Sequence, residues 1–208
     1  MHTDHRICFV GDSFVQGTAD ETALGWVGRV AAAARHDGHD LTPYNLGVRR
    51  DTSADIRNRW LAECTARMQR ECRYGSVFSF GANDMTAEGG ALRVSVNDSV
   101  VNLTAIITGA RNLGAVLIVG PLPVNDVEQD RRIIALCARY AEACAALGVP
   151  YLPLARELTG EVRWQRAVAK GDGTHPDSSG YSMIADRVLQ WPAWWFPATT
   201  SNTASGSH

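Results

Sequence analysis

Ser13 stands just beyond the apolar run Ile7-Cys8-Phe9-Val10, in the stretch Gly11-Asp12-Ser13-Phe14-Val15-Gln16-Gly17. A hydrophobic strand that stops at a glycine leaves the next residues at the carboxyl edge of its sheet, where open α/β sheets bind ligands. A serine there is a candidate nucleophile, but its hydroxyl is not ionised at neutral pH and needs a base. Imidazole suits that task. Of the six histidines, His2 and His5 lie in the N-terminal segment, His36 and His39 follow the first helical pattern, and His208 ends the chain. His175 differs. Pro176 biases it towards extended backbone, and Asp172 lies three residues before it. In a loop, such a carboxylate can reach back to Nδ1, set the tautomer and leave Nε2 for the serine. The competing reading has Asp172 and Asp177 shaping a turn, with Asp177 capping the last helix.

Acyl transfer also needs donors aimed at the developing oxyanion, each worth about 10²–10³ in turnover. The Ser13 N–H is one candidate. The Asn83 amide, in Gly81-Ala82-Asn83-Asp84, is another, since it carries two donors. By itself an asparagine after a strand is more simply a turn residue.

These groups lie far apart in sequence, so the elements between them must bring them together. Apolar runs at 5–10, 41–46, 76–80, 115–119 and 151–154 read as strands. The run 115–119 is unbroken, as in a strand buried on both faces. Helical spacing appears over 22–35, after a cap at Asp51, Thr52 or Ser53, and over 95–113, 127–147 and 178–190. Residues with Leu158, Val162 and Trp164 form a looser segment. Strands alternating with helices imply a mainly parallel sheet covered on both faces, with a flavodoxin-like order of five strands. The loops at Ser13, 47–53, 81–84 and 171–177 would then share one edge. Residues 1–197 are expected to form one domain, and 198–208 a disordered tail. Trp191, Trp194, Trp195 and Phe196 are expected to pack on the body.

The totals exclude several classes. Of 208 residues, 45% are hydrophobic and 20% charged, with net charge −2, so nothing points to nucleic acid or an anionic membrane. No run approaches the roughly 18 apolar residues of a membrane span. No signal-like core opens the chain, which leads us to expect a cytoplasmic protein. The five cysteines show no metal-like or redox-motif spacing and read as reduced, structural thiols. No feature calls for a metal or organic cofactor, and none specifies an oligomeric state.

With these residues in view, the chain resembles the SGNH hydrolases, or GDSL esterase/lipase family. Gly11-Asp12-Ser13 matches the first block of that family, Gly81-Ala82-Asn83-Asp84 the third, and Asp172-Gly173-Thr174-His175-Pro176 the last. The resemblance implies a three-layer α/β/α sandwich on a five-stranded parallel sheet. It implies Ser13 as nucleophile, His175 as base and Asp172 as its orienter. The oxyanion hole would combine the Ser13 N–H, the Asn83 amide and a glycine N–H from the second block. Here the second block departs from the family. In Asn45-Leu46-Gly47-Val48-Arg49-Arg50-Asp51-Thr52-Ser53, Arg50 stands where the oxyanion glycine is expected, and Gly47 is read as serving the strand-to-loop turn. Arg50 could offer its backbone N–H, send its guanidinium into the pocket, or turn to solvent. The reading favoured is that the side chain enters the site, since a glycine there normally leaves room.

The expectation is therefore a serine esterase acting on a small acyl ester, with Ser13, Asn83 and Arg50 around the oxyanion. Two alternatives remain: an impaired relative that binds an anion or acylated small molecule through Arg50, and a nucleotide binder using the 11–17 loop. The second explains neither Asn83 nor the Asp172/His175 pair. Family scaffolds act on lipids, thioesters, acetylated sugars and simple esters, and fold does not choose among them.

Overall fold

The structure is a computed structural model and describes residues 3–68 and 71–197. Strands β1 (His5–Gly11), β2 (Leu41–Gly47) and β3 (Arg73–Ser79) are followed by a two-residue hairpin pair, β4 (Ala87–Glu88) and β5 (Ala91–Leu92). Strands β6 (Ala115–Val119) and β7 (Tyr151–Leu152) complete the main sheet. Its order is β2-β1-β3-β6-β7, and every pairing is parallel. That is the flavodoxin-like winding, with the reversal of order beside β1, where such folds place a ligand.

The helices are α1 (Ser13–Gln16), α2 (Gly25–His36), α3 (Ser53–Thr65), α4 (Val96–Ala110), α5 (Val127–Leu147), α6 (Ala155–Thr159), α7 (Val162–Lys170) and α8 (Ser178–Gln190). Helix α8 packs on α2 and α7, while α4 packs on α3 and α5. Parallel strands need such cover on both faces, because their crossovers lay helices there. The central strands show it residue by residue. Phe9 on β1 meets Trp26 of α2 edge-on at 5.6 Å, and Phe78 on β3 meets Trp60 of α3 at the same distance.

Local chemistry sets several boundaries. Thr52 and Asp55 form a reciprocal capping box at the start of α3, satisfying two donors that a helix start leaves orphaned. Asp126 caps α5, Gly148 closes it in the left-handed conformation, and Asp177 caps α8. Helix α2 begins at Gly25 rather than 22, because the Asp20 carboxylate captures the Thr22 and Gly25 N–H groups in a turn. The looser segment is in fact two helices, and α7 buries Trp164, Ala167 and Val168 at helical spacing. Trp194 and Phe196 are buried against the body, and Trp191 and Trp195 are partly buried. The five cysteines are unpaired, four of them buried. No helix among the described residues is long and apolar enough to cross a membrane. The tail at 198–208 lies outside the described residues.

Candidate active site

β1 ends at Gly11, and α1 begins at Ser13 with only Asp12 between them. Asp12 caps this one-turn helix, its Oδ1 accepting the Phe14 N–H at 3.0 Å. The strand–turn–helix geometry lifts Ser13 over the sheet edge, and two glycines make it possible. Gly11 and Gly47 face each other in register across β1 and β2. A Cβ on Gly11 would lie 2.0 Å from the Ser79 carbonyl oxygen, and one on Gly47 would lie 2.1 Å from the Gln16 nitrogen. Gly47 is therefore required by the close approach of α1, and not by the turn assigned to it from sequence. The same glycine feeds the second loop, since its N–H donates to the Asn45 side chain.

At the other end of the chain, the loop before α8 presents His175. The Ser13 hydroxyl donates to His175 Nε2 at 2.7 Å, and His175 Nδ1 donates to Asp172 Oδ2 at 2.8 Å. An ionised carboxylate can only accept, so the proton sits on Nδ1 and Nε2 is the acceptor. Asp172 is itself held by the N–H groups of Thr174 and His175 at 3.0 and 2.7 Å. Partial burial pulls its pKa upward, but these N–H bonds and the imidazole outweigh it, and the net shift is below the ordinary carboxylate value. Phe14 packs its ring against His175 at 5.1 Å and stacks on the buried Trp164 at 6.5 Å, which fixes the imidazole plane.

The two middle loops meet Ser13 from the sides. Asn83 Nδ2 donates one hydrogen to the Asp51 carbonyl at 2.9 Å and keeps its second N–H for the cleft it lines. Asp51 N–H donates to the Val48 carbonyl at 3.3 Å, closing a four-residue turn with Arg50 in third place at φ +69°. A positive φ at that position defines turns that favour glycine, and an arginine occupies it here. Arg50 lines the same cleft as Ser13, with its side chain turned largely to solvent. That side chain is 76% exposed, and its guanidinium donates to Glu88 Oε1 at 3.3 Å. The neighbouring Arg59 bridges the Asp51 carboxylate at 2.6 Å and the Gly11 carbonyl at 2.9 Å, tying this loop to the end of β1.

Together these groups line a cleft of about 360 Å³ that holds Ser13, Asp172, His175, Asn83 and Arg50. Sequence reasoning brought these five together. From sequence the loops at 85–95, 121–130 and 156–171 are expected to line the pockets; Thr86, Val124 and Gln129 of the first two do line the cleft, with Phe14 and Thr174, while no residue of 156–171 is among its lining. Gln129 donates to the Ala82 carbonyl and to Thr86 Oγ1, bracing the Asn83 loop from the start of α5. A glutamine one turn into a helix carries no chemical signature, so only the fold reveals that role.

Asp12 is buried with its carboxyl pushed up to about 7, chiefly because burial penalises the charge, and with Asp84 and Asp51 adding repulsion. Its stabilising contribution is therefore full below the ordinary carboxylate value and is lost as pH rises through 7. Asp12→Asn keeps an acceptor for Phe14 without the titrating charge. The stability of that variant relative to the parent should rise between pH 4 and 8, by on the order of 1–4 kcal/mol at about 1.4 kcal/mol per pKa unit. Paired urea titrations at both pH values measure it, and a difference that does not change with pH would refute the assignment.

The model of the GDSL-like lipase/acylhydrolase family matches residues 9–183. Comparison with curated proteins gave no match. Among solved structures, a lipase/acylhydrolase from Enterococcus faecalis aligns with TM-score 0.70 at 22% identity, covering 88% of this chain and 93% of that one. A catalytic mutant of an acetylxylan esterase from Geobacillus stearothermophilus aligns with TM-score 0.76 at 14% identity, covering 97% and 99%. LAE5, an alpha/beta hydrolase enzyme from the metagenome of Lake Arreo, Spain, aligns with TM-score 0.72 at 17% identity, covering 91% and 95%. At such identities the structural likeness carries the fold, while the family model spans all but the ends of the chain. The chain belongs to the GDSL-like lipase/acylhydrolase family of SGNH fold, and it is a carboxylic ester hydrolase.

Proposed function

We propose that this chain hydrolyses short acyl esters of polar alcohols through an acyl-enzyme on Ser13. The single observation that carries the reading is the continuous Ser13–His175–Asp172 hydrogen-bond chain, 2.7 and 2.8 Å long. Ser13 Oγ attacks the ester carbonyl carbon while its proton passes to His175 Nε2. Asp172 stabilises the imidazolium and holds its orientation. The oxyanion is received by the Ser13 N–H, the Arg50 N–H and the second hydrogen of Asn83 Nδ2. The Ser13 N–H has no acceptor inside α1, as for any first-turn amide. The carbonyl then re-forms, the alcohol leaves with the proton from Nε2, and water attacks the acyl-enzyme by the reverse sequence.

The substrate class follows from the lining. Arg49, Asn83, Thr86, Gln129 and Thr174 present polar groups, and the apolar lining is limited to Phe14, Ala82 and Val124. A cleft so lined gains little from a long acyl chain, at about 0.8 kcal/mol per buried methylene only where apolar cover exists. Against the anion-binding alternative stands the engagement of the Arg50 guanidinium with Glu88 at 3.3 Å. Rapid mixing with p-nitrophenyl acetate, quenching in acid and peptide mass analysis should recover one acetyl group on the peptide containing Ser13. Turnover of the acetate ester should exceed that of the decanoate at least tenfold. A label on another residue, or a rate that rises with chain length, would overturn the reading.

A further inference from the structure

Asp84 follows the oxyanion-hole candidate Asn83 and is wholly buried, with none of its surface exposed. Its Oδ1 accepts the Ser53 N–H at 2.7 Å. Its Oδ2 accepts the Ser99 hydroxyl, and Ser99 in turn bonds Tyr140 Oη at 2.6 Å. Asn102 reaches the same place, donating to Ser53 Oγ at 2.9 Å. The carboxylate therefore ties its own loop to the first residue of α3 and to α4, and through Ser99 to α5.

The side chains of Asn83 and Asp84 grip backbone groups only two residues apart. Asn83 donates to the Asp51 carbonyl, and Asp84 accepts from Ser53, on either side of the Thr52 cap. The turn immediately before that grip holds Arg50 at φ +69°, a conformation L-residues enter only at a cost. Such strain persists where the surroundings over-determine it. We propose that Asp84 is a positioning residue whose grip on Ser53 holds Arg50 in its left-handed conformation, keeping the Arg50 N–H and the Asn83 amide aimed at one oxyanion. This rests on the acyl-enzyme reading above.

The consequence is a specific non-additivity. Asp84→Asn weakens the grip and should lower kcat for p-nitrophenyl acetate about 10–100-fold, with KM changed less than about threefold, because the lost interaction forms only with the oxyanion. Glycine adopts positive φ without that cost. In an Arg50→Gly background, the fall in kcat caused by Asp84→Asn should therefore be at least fivefold smaller. An Asp84→Asn variant with parental kcat, or with the same fall in both backgrounds, would overturn the proposal. If Asp84→Asn gives no cooperative thermal transition, Ser99→Ala, which removes one hydrogen bond to the carboxylate, is tested by the same two-background comparison. Failure of the acyl-enzyme reading would show separately, as turnover that does not depend on Ser13.

Discussion

Ser13→Ala abolishes measurable ester hydrolysis: the expected fall in kcat is roughly 10⁴-fold or more, the scale found when a triad nucleophile is removed. The loss is confined to chemistry. The Ser13 hydroxyl makes one side-chain bond, to His175 Nε2, and that imidazole keeps both of its contacts with Asp172 and its packing on Phe14. Removing one hydroxyl from a site that opens to a cleft costs about 1 kcal/mol or less, so the thermal midpoint should move by no more than about 2–4 °C for a chain of this size. The proposed oxyanion donors are backbone and Asn83 groups that the substitution leaves in place. Initial rates with p-nitrophenyl acetate, corrected for spontaneous hydrolysis, and a thermal melt of the same sample separate the two effects. Retained turnover in a folded Ser13→Ala protein would move the nucleophile elsewhere.

Gly47→Ala should damage stability and turnover together. The added Cβ would lie 2.1 Å from the Gln16 nitrogen, 2.6 Å from Gln16 Cα and 2.8 Å from the Asp12 carbonyl oxygen. All three are backbone atoms of the turn and helix that carry Ser13, so no rotamer change can relieve the clash. Overpacking against such atoms costs about 3 kcal/mol or more, which lowers the thermal midpoint by about 6–12 °C. The structure can relieve the clash only by separating α1 from the second loop, the two pieces that bring Ser13 and the Arg50 N–H together. A displacement near 1 Å costs about 10²-fold in rate. Gly160→Ala is the matching control, because its Cβ would meet nothing closer than 3.5 Å. Melting curves and kcat/KM for both variants test this, and a Gly47→Ala protein with parental values would show that α1 does not rest on that glycine.

Several elements were readable because local signals agreed. The strand at 115–119 and the helices at 127–147 and 178–190 emerged at the boundaries read from the apolar pattern, with Gly148 and Asp177 as their end signals. Short elements were not. Helix α1 is one turn with no room for periodicity, and β4 and β5 have two residues each. The spacing of Trp164, Ala167 and Val168 did carry α7, but a nine-residue helix beside a threonine-glycine junction is weak against the reading of a loop.

The amino-acid sequence by itself determined the order of elements and singled out Ser13, Asp172 and His175, because strand patterning, caps and Asp172-x-x-His175 are local properties of a few neighbouring residues. The tertiary structure alone decided how the pieces meet. Gly47 is dictated by the backbone of α1, thirty residues away in the chain. The Arg50 side chain, expected in the pocket, is drawn to the rim by Glu88, which the hairpin β4–β5 delivers. Asp84, adjacent to Asn83 in sequence, takes its partners from α3 and α4, and Ser99 carries the chain of bonds on to Tyr140 of α5. Contacts between distant segments depend on the packing of whole layers, and no local pattern encodes which side chain will find a partner there.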